Sequence, residues 1–94
     1  MKRIHVIVYG DVIGVSFRYH ARKMANSLNL KGWVKNRDRN SVEAVFEGQE
    51  KDIEVIIKFC HKGPMFAKGE KVEINAEKYK GDFEEFEVIL SEHI

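Results

Sequence analysis

Apolar residues recur along this chain at two different spacings, and the switches between them divide it into elements. From Ile4 to Tyr9 the period is two: Ile4, Val6 and Val8 share one face of a strand, and His5, Ile7 and Tyr9 the other. Phe17, Ala21, Met24, Ala25 and Leu28 then recur at helical spacing, which predicts a helix from about Phe17 to Asn29 with Ser16 as its N-cap. Period two returns in "LKGWVKN" and in "SVEAVFEG", where Val42, Ala44 and Phe46 alternate with Glu43, Val45 and Glu47. The intervening "RDRN" reads as a hairpin turn with Asn40 in its left-handed position. Ile53, Ile56, Ile57 and Cys60 mark a second helix, stopped by Gly63 and Pro64. Val72, Ile74 and Ala76 form a fourth strand. A loop over Lys78–Asp82 leads to a closing strand bearing Phe86, Val88 and Leu90.

The order is therefore β-α-β-β-α-β with a short additional C-terminal strand. It predicts an α+β fold, a ferredoxin-like α/β sandwich in which two helices cover one face of an antiparallel sheet. The covered face is the one bearing Val6, Val8, Ala44 and Phe46. No linker, repeat or low-complexity stretch interrupts the pattern, so residues 1–94 are expected to form one domain. A hydrophobic content of 44% supports a core of useful size without staples. The 16 basic and 15 acidic side chains are interleaved, so the chain lacks the one-signed field of a general nucleic-acid or membrane-surface binder. Cys60 is the only cysteine and cannot close an internal disulfide, which points to a reducing cytoplasm. There is no apolar run of roughly 18 residues to span a membrane, and Met1-Lys2-Arg3 leads straight into strand-like sequence, against a cleaved signal.

The stretch with chemical content is "GDVIGVSFRYH", Gly10 to His20, between the first strand and the first helix. A helix N-terminus offers unpaired N–H groups and partial positive charge. Gly10 and Gly14 let the preceding loop bend so that successive amides converge, and Arg18 adds a planar fork of donors matched to phosphate oxygens. Spacing alone leaves two readings open, an anion cradle and an ordinary strand-to-helix turn with a solvated arginine. No Lys-Ser/Thr pair follows, so this is not a Walker A loop. Cys60-His61 is read as a core thiol beside a surface histidine, because adjacent helical residues point apart. His5, His20, His61 and His93 lack ligand spacing, and no metal site is expected. Trp33 is read as core packing or support for the strand ending at Asn36, His20 as a solvated helix residue, and Lys35 as a surface charge.

"GDVIGVSFR" resembles the phosphate loop of the acylphosphatase family, G-x-V-Q-G-V-x-F-R. "GWVKNRDRNSVEAVFEG" resembles the family's second signature, G-W/F/Y-V-x-N, a turn, then V-E and a later glycine. "GPMFAKGEKVEI" resembles its G-P-x-A stretch. The motifs stand in the family's order across nearly the whole chain. The resemblance implies a metal-free, cofactor-free hydrolase of acyl phosphates. In it, Arg18 binds the phosphoryl group together with loop amides from Val12, Ile13, Gly14, Val15, Ser16 and Phe17, and Asn36 holds the attacking water. Two positions depart from the pattern: Ile13 replaces a glutamine, removing a polar side chain from beside the loop, and Asn40 replaces a glycine.

The chemistry suits such a spare site. An acyl phosphate expels a carboxylate, which needs little help from a general acid, so positioning and electrostatics suffice. Partners would be small acyl phosphates or phosphorylated protein carboxylates, with no nucleic acid and no membrane, and the protein a monomer. Two other classes are weighed. An RNA-recognition module of the same topology needs exposed aromatics on its central strands; Tyr9 is available, but Glu43 and Glu47 on that face would repel a phosphate backbone. A catalytically weak phosphate-binding or protein-interaction module of the same fold is the third, kept open by Ile13.

Overall fold

β1 (Lys2–Gly10) is flanked on both sides by antiparallel partners, and the sheet grows outward from it. The computed structural model describes residues 1–10, 15–62 and 69–90. On one side of β1 lies β3 (Ser41–Gly48), with Val6 opposite Ala44; on the other lies β4 (Gly69–Glu77), with Val6 opposite Ile74. β2 (Lys31–Asp38) pairs with β3 as a hairpin and β5 (Phe86–Ile89) pairs with β2, giving the order β4-β1-β3-β2-β5. α1 (Val15–Ser27) and α2 (Glu50–Lys62) lie over one face. The alternation of β1 and β3 dictates which face: Ile4, Val6, Val8, Val42, Ala44 and Phe46 all point at the helices and are buried. Against them α1 sets Phe17, Ala21 and Ala25, and α2 sets Ile53, Ile56 and Cys60. Among the described residues, no helix is long and apolar enough to cross a membrane.

The sheet is mixed rather than antiparallel throughout, because β5 runs parallel to β2. The register explains it. β4 ends with Glu77 opposite Arg3 at the start of β1, and β5 begins with Phe86 opposite Gly32 at the start of β2. The connection 78–85 therefore runs along one end of the sheet, and the strand that leaves it must take β2's direction. It is longer than the expected Lys78–Asp82. Its anchor is Glu47, whose side chain is only 2% exposed. The carboxylate accepts hydrogen bonds from the Lys80 and Gly81 amides at 3.0 and 3.2 Å and pairs with Arg3 at 3.3 Å. The expectation that Glu47 repels from the open face is thus corrected: its charge is spent on the loop crossing. Leu90, expected in the closing strand, lies beyond it and is 76% exposed, since β5 pairs only as far as Ile89.

α1 begins at Val15 and ends at Ser27, two residues earlier at each end than its apolar stripe suggested. The stripe opens at Phe17, which is buried in the core, and so does not report where the helix itself begins. Ser16 consequently lies inside the first turn and is not the N-cap. At the other end, the Leu30 amide bonds to the Ala25 carbonyl at 2.8 Å and the Asn29 amide to the Asn26 carbonyl at 3.2 Å, closing a Schellman motif with Asn29 at φ 58°. Asn29 is the only non-glycine residue with positive φ among those described; Asn40, expected there, is not left-handed. Leu30, the next residue, is buried and starts the chain into β2.

Gly32 is the residue of β2 that no side chain can replace. Its φ is +137°, and a Cβ there would stand 1.9 Å from the Val45 carbonyl oxygen of β3. Gly32→Ala is expected to cost roughly 1–3 kcal/mol for the backbone conformation alone, before the clash is relieved. Thermal unfolding should show the midpoint falling by about 5–20 °C. An unchanged midpoint would mean that the β2–β3 approach is not as close as described.

Candidate active site

Three element ends meet at one end of the sheet. β1 finishes at Gly10, whose φ of 117° turns the chain out of the strand and whose N–H bonds to the Asn40 carbonyl at 2.8 Å. That bond ties the exit of β1 to the β2–β3 turn. α1 starts five residues later, at Val15. The register Val8–Val42–Asn36 places Asn36 near the end of β2, separated from β1 by β3 alone. Two strand spacings amount to about 10 Å between backbones.

Asn36 points to the helix-covered face, in line with Val34, and opposite Val42. Its position is held by the turn that follows. Pairing is irregular between Asn36 and Asp38, and the Asp38 carboxylate accepts hydrogen bonds from the Asn40 amide and the Ser41 hydroxyl, both at 2.8 Å. Those bonds, with the nearby Arg37 guanidinium, hold the Asp38 carboxyl below its usual pKa. Asp38 was missed by sequence reasoning as a positioning residue. The signal was present as an Asp two residues before an Asn, the spacing of an Asx-turn.

Arg18 projects from the first turns of α1. Its neighbour Phe17 is 3% exposed and meets the Phe59 ring at a centroid distance of 5.7 Å. Phe17 thereby fixes the helix start in the core, which leaves Arg18 at the margin, half-buried. The first four amides of α1 have no intrahelical acceptor, and no acidic side chain lies in its first turn to neutralise that end. Of the expected cradle residues, Val15, Ser16 and Phe17 supply amides of this first turn; Val12, Ile13 and Gly14, and the side chains of Val15 and Ser16, lie outside the described residues. Two buried side-chain polar atoms have no hydrogen-bond partner among the described residues, Arg18 Nε and Asn36 Oδ1. One is a charged donor and the other a neutral acceptor.

The remaining candidates are placed elsewhere. Cys60 is buried in the core, and desolvation pushes its thiol up to about 12, so it is a poor nucleophile at neutral pH. His20 meets the Tyr19 ring edge-on at 5.4 Å. Of the two readings of Trp33, core packing is corrected and support for the Asn36 strand is not: the ring lies on the open face, because its strand position alternates with buried Val34, and Lys35 Nζ sits 5.2 Å from its centroid. Lys35 also lies 3.9 Å from Glu43, whose carboxylate is hydrogen-bonded to His5 Nε2 at 2.6 Å. Tyr9 is flanked by Arg37 and Lys71, at 5.8 and 5.7 Å from its ring. The aromatic rings of the open face thus carry cations of the chain itself. No group of three or more His, Cys, Asp or Glu side chains converges among the described residues.

The family model described as Acylphosphatase matches residues 4–88. A curated acylphosphatase of Syntrophus aciditrophicus is 42% identical over 92 residues, covering 98% of this chain and 96% of its own. The crystal structure of an acylphosphatase from Bacillus subtilis superposes with a TM-score of 0.88 at 31% identity, over 95% of this chain and 99% of that one. HypF from T. kodakarensis contains a similar unit, with a TM-score of 0.79 and 34% identity over 95% of this chain but only 12% of HypF.

Proposed function

Since the chain belongs to the acylphosphatase family, its reaction is the hydrolysis of acyl phosphates, and we propose that Arg18 binds the phosphoryl group while Asn36 orients the attacking water. The observation that carries the assignment is the pair of unpartnered buried atoms. A buried donor on a guanidinium and a buried acceptor on an amide are both costly to leave unpaired. Phosphoryl oxygens suit the first and a water proton suits the second.

In this reading the N–H groups of the α1 N-terminus and the Arg18 guanidinium hold the equatorial oxygens and stabilise the charge they gain in the transition state. Asn36 Oδ1 accepts a hydrogen bond from the water and turns its oxygen towards phosphorus. The new P–O bond forms as the bond to the acyl oxygen breaks; the carboxylate leaves with the bonding pair, and the water's proton passes to solvent. The positive field comes from residues of the chain, and no general acid is needed for so good a leaving group. Residues 1–94 act as one domain, a monomer of the cytoplasm, where the free buried thiol of Cys60 fits a reducing compartment. Small acyl phosphates and phosphorylated protein carboxylates both offer the required group. The Ile13 departure favours a second reading, a weakly catalytic phosphate-binding or interaction module, which turnover separates from the first.

The test is leaving-group selectivity, measured with a chelator present. Benzoyl phosphate should be hydrolysed at an appreciable rate and an alkyl phosphate monoester near background, because this reading assigns no general acid to protonate an alkoxide. Efficient cleavage of the monoester would reveal a general acid, with His20 the first suspect; loss of benzoyl phosphate turnover to chelation would reveal a metal. Phosphate binding without turnover would favour the weak module.

A further inference from the structure

A groove runs along the seam between α1 and β5, and it begins at Arg18. Its upper part, about 270 Å³, is lined by Arg18, Tyr19, Arg22, Val88 and Leu90. Arg22 stands one helical turn beyond Arg18 on the same side of α1, with Cβ atoms about 6 Å apart. Tyr19 and Leu90 line this groove while 55% and 76% exposed, so it has apolar surface held open to solvent. Arg22 also lines the continuation of the groove, beside Glu85 and Glu87, yet it takes part in none of the ion pairs among the described residues.

We propose that this groove receives the acyl group, and that Arg22 selects acyl phosphates whose apolar body ends in a second carboxylate. The proposal rests on the assignment of Arg18 to the phosphoryl group, because that contact directs the leaving group into the adjoining space. Tyr19, Val88 and Leu90 cover the apolar body. Arg22 meets the distal carboxylate with a charge that takes part in no ion pair among the described residues.

The test compares 4-carboxybenzoyl phosphate with 4-methylbenzoyl phosphate, whose acyl groups have similar size and differ in the distal charge. The rigid ring prevents the carboxylate from attacking its own anhydride. The wild type should favour the carboxylate by about three- to fivefold in kcat/KM, through KM, as expected of an exposed ion pair, and added salt should compress that ratio. Arg22→Lys should retain the preference, Arg22→Gln should bring the ratio near one, and Arg22→Glu should invert it. A ratio that is the same in all four proteins, with both compounds hydrolysed, would overturn the subsite while leaving the role of Arg18 intact. If the wild type hydrolysed neither compound, the functional reading would fail and this proposal with it.

Discussion

Arg18→Ala is expected to lower kcat/KM for an acyl phosphate by roughly 10²–10³-fold. The side chain is assigned a charge-assisted, forked contact with the phosphoryl group, a class of hydrogen bond worth about 1.5–3 kcal/mol. Affinity for inorganic phosphate should fall by roughly 10–100-fold, and kcat should fall as well, because the same charge faces oxygens that grow more negative in the transition state. The protein should remain folded. Core anchoring of the helix start belongs to Phe17, whose ring packs on Phe59, and the half-buried Arg18 is absent from the apolar stripe. Steady-state kinetics on the variant, with its thermal midpoint measured alongside, checks both points. Wild-type turnover in Arg18→Ala would place the active site elsewhere.

Asn36→Ala is expected to fail differently. The substitution leaves the α1 N-terminus and its arginine untouched, so phosphate should bind nearly as in the wild type. Turnover should fall by roughly 10²-fold, the penalty for a misplaced reactant. The effect should lie in kcat with KM little changed, the pattern of an interaction made in the transition state. Removing the buried, unpartnered Oδ1 acceptor also relieves a polar group of its desolvation cost, so stability should not suffer. A large rise in KM with kcat preserved would transfer Asn36 from the water to the substrate.

The residues behind these two expectations were legible because they sit inside motifs with backbone consequences. Gly10 and Gly32 take positive φ, and the elements they begin or end bring α1 and β2 to the same end of the sheet. The face assignments of β1 and β3 were equally legible, since strict alternation leaves one choice of inside. What escaped were features decided by distant partners. Nothing near Glu47 in the chain marks it as buried; its bonds are to Arg3, 44 positions earlier, and to amides 33 and 34 positions later. The parallel pairing of β5 likewise follows from where the 78–85 connection emerges, not from any pattern inside "FEVI". The left-handed asparagine was assigned to the wrong turn, because Asn29 and Asn40 offer the same local chemistry. Only the hydrogen bonds closing α1 and those of Asp38 distinguish them. In α1, periodicity located the buried stripe but not the helix start at Val15, and that first turn is where the proposed cradle lies.

The division of labour between Arg18 and Asn36 is the central claim, and calorimetric titration of inorganic phosphate into the wild type, Arg18→Ala and Asn36→Ala tests it most directly. Phosphate carries the group that the cradle holds and lacks the bond that is broken, so it reads binding without chemistry. The account predicts affinity lost by roughly 10–100-fold in Arg18→Ala and nearly unchanged in Asn36→Ala. Affinity lost in Asn36→Ala and kept in Arg18→Ala would contradict it.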